Sequence, residues 1–237
     1  MTERRAGELR VEHWGLVAYD EALRRQLELH ARRVAGEIAD TLVVVSHPPT
    51  FTLGRRAPLS DVVFGERELA RRGVAVVRSD RGGRATYHGP GQVVVYPIVG
   101  IEDLGLGVKD WVCLLEGALI ETLASYSIEG RRHAGTAGIW AGEGDLAGKI
   151  ASLGLRISRG ASYHGVSLNV CLDASIFDGI VTCGVRGERV TTIAEMTAST
   201  RDQPEESEVA ERLVGRIAAR IADAASGDRG SRSTGRQ

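Results

Sequence analysis

The run Leu42-Val43-Val44-Val45 constrains the fold of this chain more than any other feature. Four successive apolar residues without polar alternation suit a strand covered on both faces. The run ends at His47-Pro48-Pro49, where consecutive prolines stop a β-ladder. His47 reads as a packing or turn residue at that strand end, with a ligand-bordering role as the alternative. Before this run, residues 9–14 can form a first strand. Residues 19–38 set Tyr19, Leu23, Leu27, Val34 and Ile38 among arginines and glutamates, the stripe of an amphipathic helix.

Further along, residues 66–72 read as a short helix and 74–77 as a strand. The stretch Asp80-Arg81-Gly82-Gly83-Arg84-Ala85-Thr86-Tyr87-His88-Gly89-Pro90-Gly91 then concentrates glycines with two arginines, a tyrosine and an imidazole. Glycines there allow positive φ and close backbone approach to a ligand. A hairpin joining 74–77 to 93–96 needs only one or two glycines, so the loop reads as ligand-lining. It is not a phosphate-binding P-loop, because no Gly-Lys-Ser/Thr ending follows. Residues 108–123 form a second amphipathic helix, with Cys113 inside it as a small packing residue.

The chemistry-bearing stretch lies between Gly148 and Gly184. Residues 138–141 and 150–157 read as strands joined by a turn at 142–144, which puts Lys149 at a strand start, where lysines are mostly solvated. Residues 163–170 form another strand, opened by His164 and Gly165. Cys171 reads as filler, and 173–177 as one helical turn. Cys183 is followed by Gly184, whose freed backbone could aim an amide at a carbonyl oxygen. A thiol beside a lysine ammonium ionises more easily, and the thiolate is the form that attacks carbonyl carbon. Lys149 and Cys183 therefore read as a catalytic pair for acyl transfer. Residues 206–222 form a final amphipathic helix for which the sheet is a candidate partner, and the Gly-, Ser- and Arg-rich tail 225–237 should be disordered.

Length and composition bound the alternatives. The 237 residues can hold one large α/β domain or two small ones. A formal net charge of −1 gives no basic field to attract nucleic acid or an anionic membrane. No apolar run approaches a bilayer span, and the first residues lack a secretory apolar core. The 3 cysteines make no disulfide framework and show no Cys-x-x-Cys pair, the pattern of a cytoplasmic protein with reduced thiols. The 6 histidines show no paired ligand spacing, which disfavours a zinc hydrolase.

Three ordered motifs carry a resemblance. Arg81-Gly82-Gly83-Arg84-Ala85-Thr86-Tyr87-His88-Gly89-Pro90-Gly91-Gln92, Lys149-Ile150-Ala151-Ser152-Leu153-Gly154 and His164-Gly165-Val166-Ser167-Leu168-Asn169, with a fourth match at Cys183, make residues 8–220 resemble the lipoyl(octanoyl) transferase family. The resemblance implies a single α/β domain over 1–224, with a mixed, mainly antiparallel sheet flanked by helices, as in lipoate and biotin protein ligases. It implies transfer of octanoyl from acyl carrier protein to a lysine of lipoyl domains, those of 2-oxoacid dehydrogenases and the glycine cleavage H protein, with no cofactor. It further implies that Cys183 is the acyl-thioester nucleophile, that Lys149 lowers its pKa, and that residues 81–88, 152–154 and 165–167 line the acyl pocket.

Members of the family usually carry proline before the nucleophile, where this chain has Thr182, which leaves that turn freer. Two rival readings follow from the same residues. One is an ATP-dependent lipoate or biotin protein ligase, which needs the lysine and the glycine-rich loop but no cysteine. The other is a non-catalytic acyl-binding module.

Overall fold

The structure is a computed structural model that describes residues 9–144, 147–182, 187–197 and 204–227. Its frame is a seven-stranded sheet built from β1 (Leu9–Leu16), β2 (Asp40–Ser46), β6 (Gln92–Ile98), β7 (Arg131–His133), β8 (Thr136–Ala141), β9 (Gly148–Ser158) and β10 (Ala161–Asn169). The order across it is β1-β2-β6-β10-β9-β8-β7. Within this sheet only β1 and β2 run parallel; every other pairing in it is antiparallel. A second sheet of three strands has β3 (Thr50–Leu53) between β4 (Ala75–Arg78) and β5 (Ala85–His88). The mixed, mostly antiparallel α/β fold expected from the resemblance is the one observed.

Both faces of the large sheet are covered, as the unalternating run at 42–45 demands. Besides the short helices α2 (Glu66–Arg72) and α4 (Ile193–Met196), two longer ones, α3 (Val108–Ala124) and α5 (Glu206–Ser226), cover a core in which Leu42 joins Val95, Val166, Trp111 and Leu213. Val43 and Val45 face the other way, into a core with Tyr96, Ile98 and Tyr163 under α1 (Tyr19–Val34). α5 rests on both α3 and β6 and runs to Ser226, closed by Gly227 in the left-handed region. The tail from residue 228 lies outside the described residues. No helix among the described residues is long and apolar enough to cross a membrane.

Several local expectations are corrected. The helix α1 stops at Val34, not at 38, because Gly36 takes φ +75°. Its buried face is Tyr19, Ala22, Gln26 and His30, while Leu27 stands 44% exposed. Two polar side chains win that face with bonds to the sheet, although Gln26 Nε2 finds no partner among the described residues. His30 Nε2 bonds Ser158 O at 3.0 Å, and Gln26 Oε1 accepts the His164 N–H at 2.9 Å. The hairpin expected between β4 and β6 does not form, since those strands belong to different sheets. Residues 79–91 cross from one sheet to the other, with β5 paired to β3 on the way. The prolines at 48 and 49 end β2, but the chain re-enters β structure at once in the small sheet. Cys113 and Cys171 are exposed rather than packed, because their neighbours Leu114, Leu115 and Val170 take the core positions. The turn after β10 is 3-10, Ala174–Gly179, with Asp173 capping it.

Candidate active site

A cavity of about 600 Å³ opens between the small sheet and the β9–β10 pair, within the usual range for small-molecule sites. The period of two along the small sheet explains what faces it. Phe51 and Tyr87 pair across β3–β5 and point into a separate apolar core with Phe177 and Ile180. Thr52 and Thr86, and Thr50 and His88, pair on the opposite face. On β9 and β10 the register sets Gly154 opposite Gly165 and Ser152 opposite Ser167, so both motif segments reach the same cavity wall.

The glycine-rich loop is fastened at two points. Gly82 N–H donates to Leu155 O on β9 at 2.9 Å. Arg81 is only 5% exposed, and its guanidinium donates to Thr52 O at 2.6 Å, Thr52 Oγ1 at 2.8 Å and Gly82 O at 2.9 Å. Arg84, in contrast, turns to Asp61, with Nε to Oδ2 at 2.9 Å and Nη2 to Oδ1 at 2.5 Å. Such a bidentate pair fixes the loop's outer half.

Lys149 is 3% exposed, against the expectation of a solvated lysine. Its Nζ lies 4.7 Å from the centre of the Trp140 ring, within cation–π range. Trp140 also stacks on His133, 4.4 Å between centroids, and donates its indole N–H to Glu188 Oε1 at 3.2 Å. The start of β9 is clamped by the segment after residue 186: Lys149 N–H donates to Arg189 O at 2.8 Å and Thr191 N–H to Lys149 O at 3.0 Å. Lys149 thus forms a parallel β-bridge with Val190, while Thr182 forms one with Ala85. Residues 183–186, Cys183 among them, lie outside the described residues. Their two flanks are therefore tied to opposite walls of one cavity, which Ala85, Lys149 and Thr182 all line. Thr182, standing where proline is usual, is 3% exposed and held by its bridge.

Two polar chains stiffen the walls. His88 Nδ1 meets Gln92 Oε1 at 2.8 Å, Gln92 Nε2 donates to Asn169 Oδ1 at 3.0 Å, and Asn169 Nδ2 donates to Thr191 O at 3.1 Å. Burial, with His47 and Arg81 nearby, pushes His88 well below the usual histidine range, so the ring is neutral with its proton on Nδ1. On the other side, His164 Nε2 lies 2.7 Å from Asp80 Oδ1, and Tyr163 OH donates to Asp80 Oδ2. Hydrogen bonds, chiefly from His164, hold the Asp80 carboxyl down at about 2. Burial pushes His164 below its usual range against the pull of Asp80. A neutral imidazole donating Nε2–H to a carboxylate fits both directions, and leaves Nδ1 to face Tyr19 OH at 3.4 Å. His164 adopts φ +56°, a conformation held by Asp80 and by Gln26 on its N–H.

Of the sequence-selected residues, Arg81, Gly82, Gly83, Arg84, Ala85, Thr86, His88, Lys149, Ser152, Leu153, Gly154, Gly165, Val166 and Ser167 all line the cavity. Tyr87 does not; it packs against Phe51 and Phe177. That packing also accounts for Gly89, where a Cβ would lie 1.9 Å from the Tyr87 hydroxyl. His47 is fully buried and bonded to Val17 O and Tyr96 OH, both at 2.7 Å, a packing role. Sequence reasoning missed Tyr19, Arg56, Val108 and Val112 in the cavity wall. Val108, 55% exposed at the start of α3, offered only an apolar residue in a helical stripe as signal.

The α/β fold is the one shared by lipoate and biotin protein ligases. A bi-partite lipoate protein ligase from Thermoplasma acidophilum superposes with a TM-score of 0.68 at 14% identity, over 91% of this chain and 84% of that one. A biotin protein ligase from Aquifex aeolicus, in complex with biotin and ATP, gives 0.53 at 13% identity, over 93% and 73%. The family model of the lipoyl protein ligase A/B catalytic domain matches residues 18–218. An octanoyltransferase of Chloroflexus aurantiacus is 45% identical over 210 residues, 88% of this chain and 92% of that protein. The chain belongs to the lipoyl protein ligase A/B catalytic-domain family and, within it, to the octanoyltransferases.

Proposed function

We propose that this acyltransferase carries octanoyl from acyl carrier protein to a lysine of lipoyl domains through a thioester on Cys183, in a single domain and in the cytoplasm. The observation that carries the reading is the pair of bridges, Ala85 to Thr182 and Lys149 to Val190, with Ala85, Thr182 and Lys149 all lining the cavity. In the first step the Cys183 thiolate attacks the carrier's thioester carbonyl. The old C–S bond breaks, and the carrier leaves as a thiol after gaining a proton. In the second, a neutral lysine amine of the acceptor attacks the acyl-cysteine, the new C–N bond forms, the amine loses a proton and Cys183 departs as thiolate. Exchange between thioesters is near neutral and thioester to amide runs downhill, so no nucleotide enters.

In this reading Lys149 favours the thiolate and manages the acceptor's proton. A cysteine of ordinary pKa is about 3% ionised at pH 7, so full ionisation gains at most about thirtyfold, ~2 kcal/mol. The larger share of the rate must come from backbone amides facing the carbonyl oxygen and from holding the acyl chain in the cavity. The acceptors in this reading are lipoyl domains of 2-oxoacid dehydrogenases and the glycine cleavage H protein. The test is amide formation on a lipoyl domain from octanoyl-carrier with and without ATP. Turnover at equal rate in both supports the reading; a strict ATP requirement contradicts it and favours a ligase.

A further inference from the structure

Lys149 and Ser152 both line the cavity, although they stand three residues apart on β9. In an unbroken strand, residues at that spacing point to opposite faces. The pairing with β8 explains the exception. Ile139 pairs with Ala151 but Trp140 pairs with Lys149, so Ile150 is an extra residue, a β-bulge. Ile150 and Ala151 both sink into the main core, at 0% and 1% exposure, and the strand is re-phased on either side of them. The bulge turns Lys149 toward the cavity and sets it directly across from Trp140.

The indole of Trp140 collects neighbours from distant parts of the chain. Lys149 Nζ lies 4.7 Å from the ring centre, and the His133 ring stacks on the indole at 4.4 Å with 5° between planes. The indole N–H donates to Glu188 Oε1 at 3.2 Å. Glu188 belongs to the segment after Cys183, where Arg189 and Thr191 bond the backbone of Lys149. Trp140 is 8% exposed and takes no part in the cavity wall, so any effect it has on the reaction passes through these neighbours. A lysine is a point charge on a flexible four-carbon stem, with no direction of its own. Here Gly138 leaves space beside Cε, and the Trp140 ring draws the ammonium to one spot.

We infer that Trp140 is a positioning residue for acyl transfer: its ring aims the Lys149 ammonium, and its N–H holds Glu188 against β8. The inference rests on the reading above that Lys149 takes part in acylation. Misplacing a reacting group by about 1 Å can cost about 10²-fold in rate, so aim counts for more here than the strength of the contact itself. With Trp140 away from the cavity wall, its loss should fall on the maximal rate and not on how tightly the donor is held.

The test is single-turnover acylation by octanoyl-carrier in Trp140→Leu, Trp140→Phe, Lys149→Met and the Trp140→Leu/Lys149→Met double variant. Trp140→Leu should lower the maximal rate about tenfold or more. Its half-saturating carrier concentration should stay within about twofold of wild type. Trp140→Phe loses the N–H but keeps a ring face, and should recover most of the rate. Lys149→Met has already removed the ammonium, so adding Trp140→Leu should slow acylation by less than about twofold more. Glu188→Ala keeps the ring and frees its edge; it should give a smaller loss of maximal rate, and it carries the test if Trp140→Leu does not fold. Wild-type acylation by Trp140→Leu, or by Glu188→Ala where the leucine variant is unfolded, overturns the inference. So do losses that multiply in full in the double variant, or a Trp140→Phe protein as slow as Trp140→Leu. Near-normal acylation by Lys149→Met removes the reading beneath the inference, and the inference with it.

Discussion

A Cβ on Gly138 would stand 2.7 Å from Lys149 Cε. Gly138 lies on β8 opposite Ser152, and its φ of +144° is one that side-chain-bearing residues rarely adopt. The bare backbone there leaves room for the buried Lys149 side chain, which lines the cavity. Gly138→Ala should cost about 1–3 kcal/mol from backbone strain alone and should displace Lys149. Urea melts and single-turnover acylation check this, and an alanine variant with wild-type stability and rate contradicts it.

Lys149 itself should matter far more to rate than to folding. Methionine fills a similar slot without the charge, so Lys149→Met should change stability by less than about 1.5 kcal/mol. Acylation of the enzyme should fall by about 10²–10⁴-fold, the usual share of a proton-managing group. A variant that melts like wild type and turns over slowly is the expected pair of results. Near-normal turnover removes Lys149 from the chemistry.

Stability should fall as pH drops from 7 toward 5. His47, His88 and His164 all sit below the usual histidine range because they are buried. An unfolded histidine takes up its proton near 6.5, whereas these folded rings take it up lower. Between those points the unfolded chain binds more protons, so each ring's contribution is whole above about 6.5 and is lost as pH falls. Asp80 adds a similar loss at lower pH, below about 4, as it approaches its folded value of about 2. Thermal melts from pH 8 to 5 should show a falling Tm, and His88→Gln should flatten the slope. A flat profile in wild type contradicts the neutral-imidazole assignment.

Thr86 is 8% exposed, and its Oγ1 finds no hydrogen-bond partner among the described residues. A buried hydroxyl left unpaired costs about 1–3 kcal/mol, and an apolar group of the same shape removes that cost. Thr86→Val should therefore leave Tm unchanged or raise it. A fall of several degrees would show that the hydroxyl has a structural partner.

Much of this architecture was legible in the sequence, and the misses have physical causes. The doubly covered strand at 42–45 announced itself because an unalternating run has no solvent face to offer. Three separated motifs reached one cavity because the β9–β10 register sets Gly154 against Gly165. The α1 face differs from the apolar stripe because Gln26 and His30, polar by composition, are buried against the β9–β10 pair, His30 bonded to Ser158 O and Gln26 Oε1 to the His164 N–H. The false hairpin came from treating neighbours in sequence as neighbours in a sheet, when β3 lay ready to take both β4 and β5. Tyr87 was drawn into the site by its motif, although a period of two along β5 sends it to the opposite face from Thr86 and His88.

The central claim is that a single sulfur holds the acyl group between donor and acceptor. Intact-mass measurement after mixing the protein with octanoyl-carrier, without acceptor, reads this directly, with peptide mapping to tell residue 183 from the exposed Cys113 and Cys171. The account predicts one octanoyl adduct on Cys183, discharged by added lipoyl domain and absent in Cys183→Ala. A fully acylated Cys183→Ala protein contradicts it.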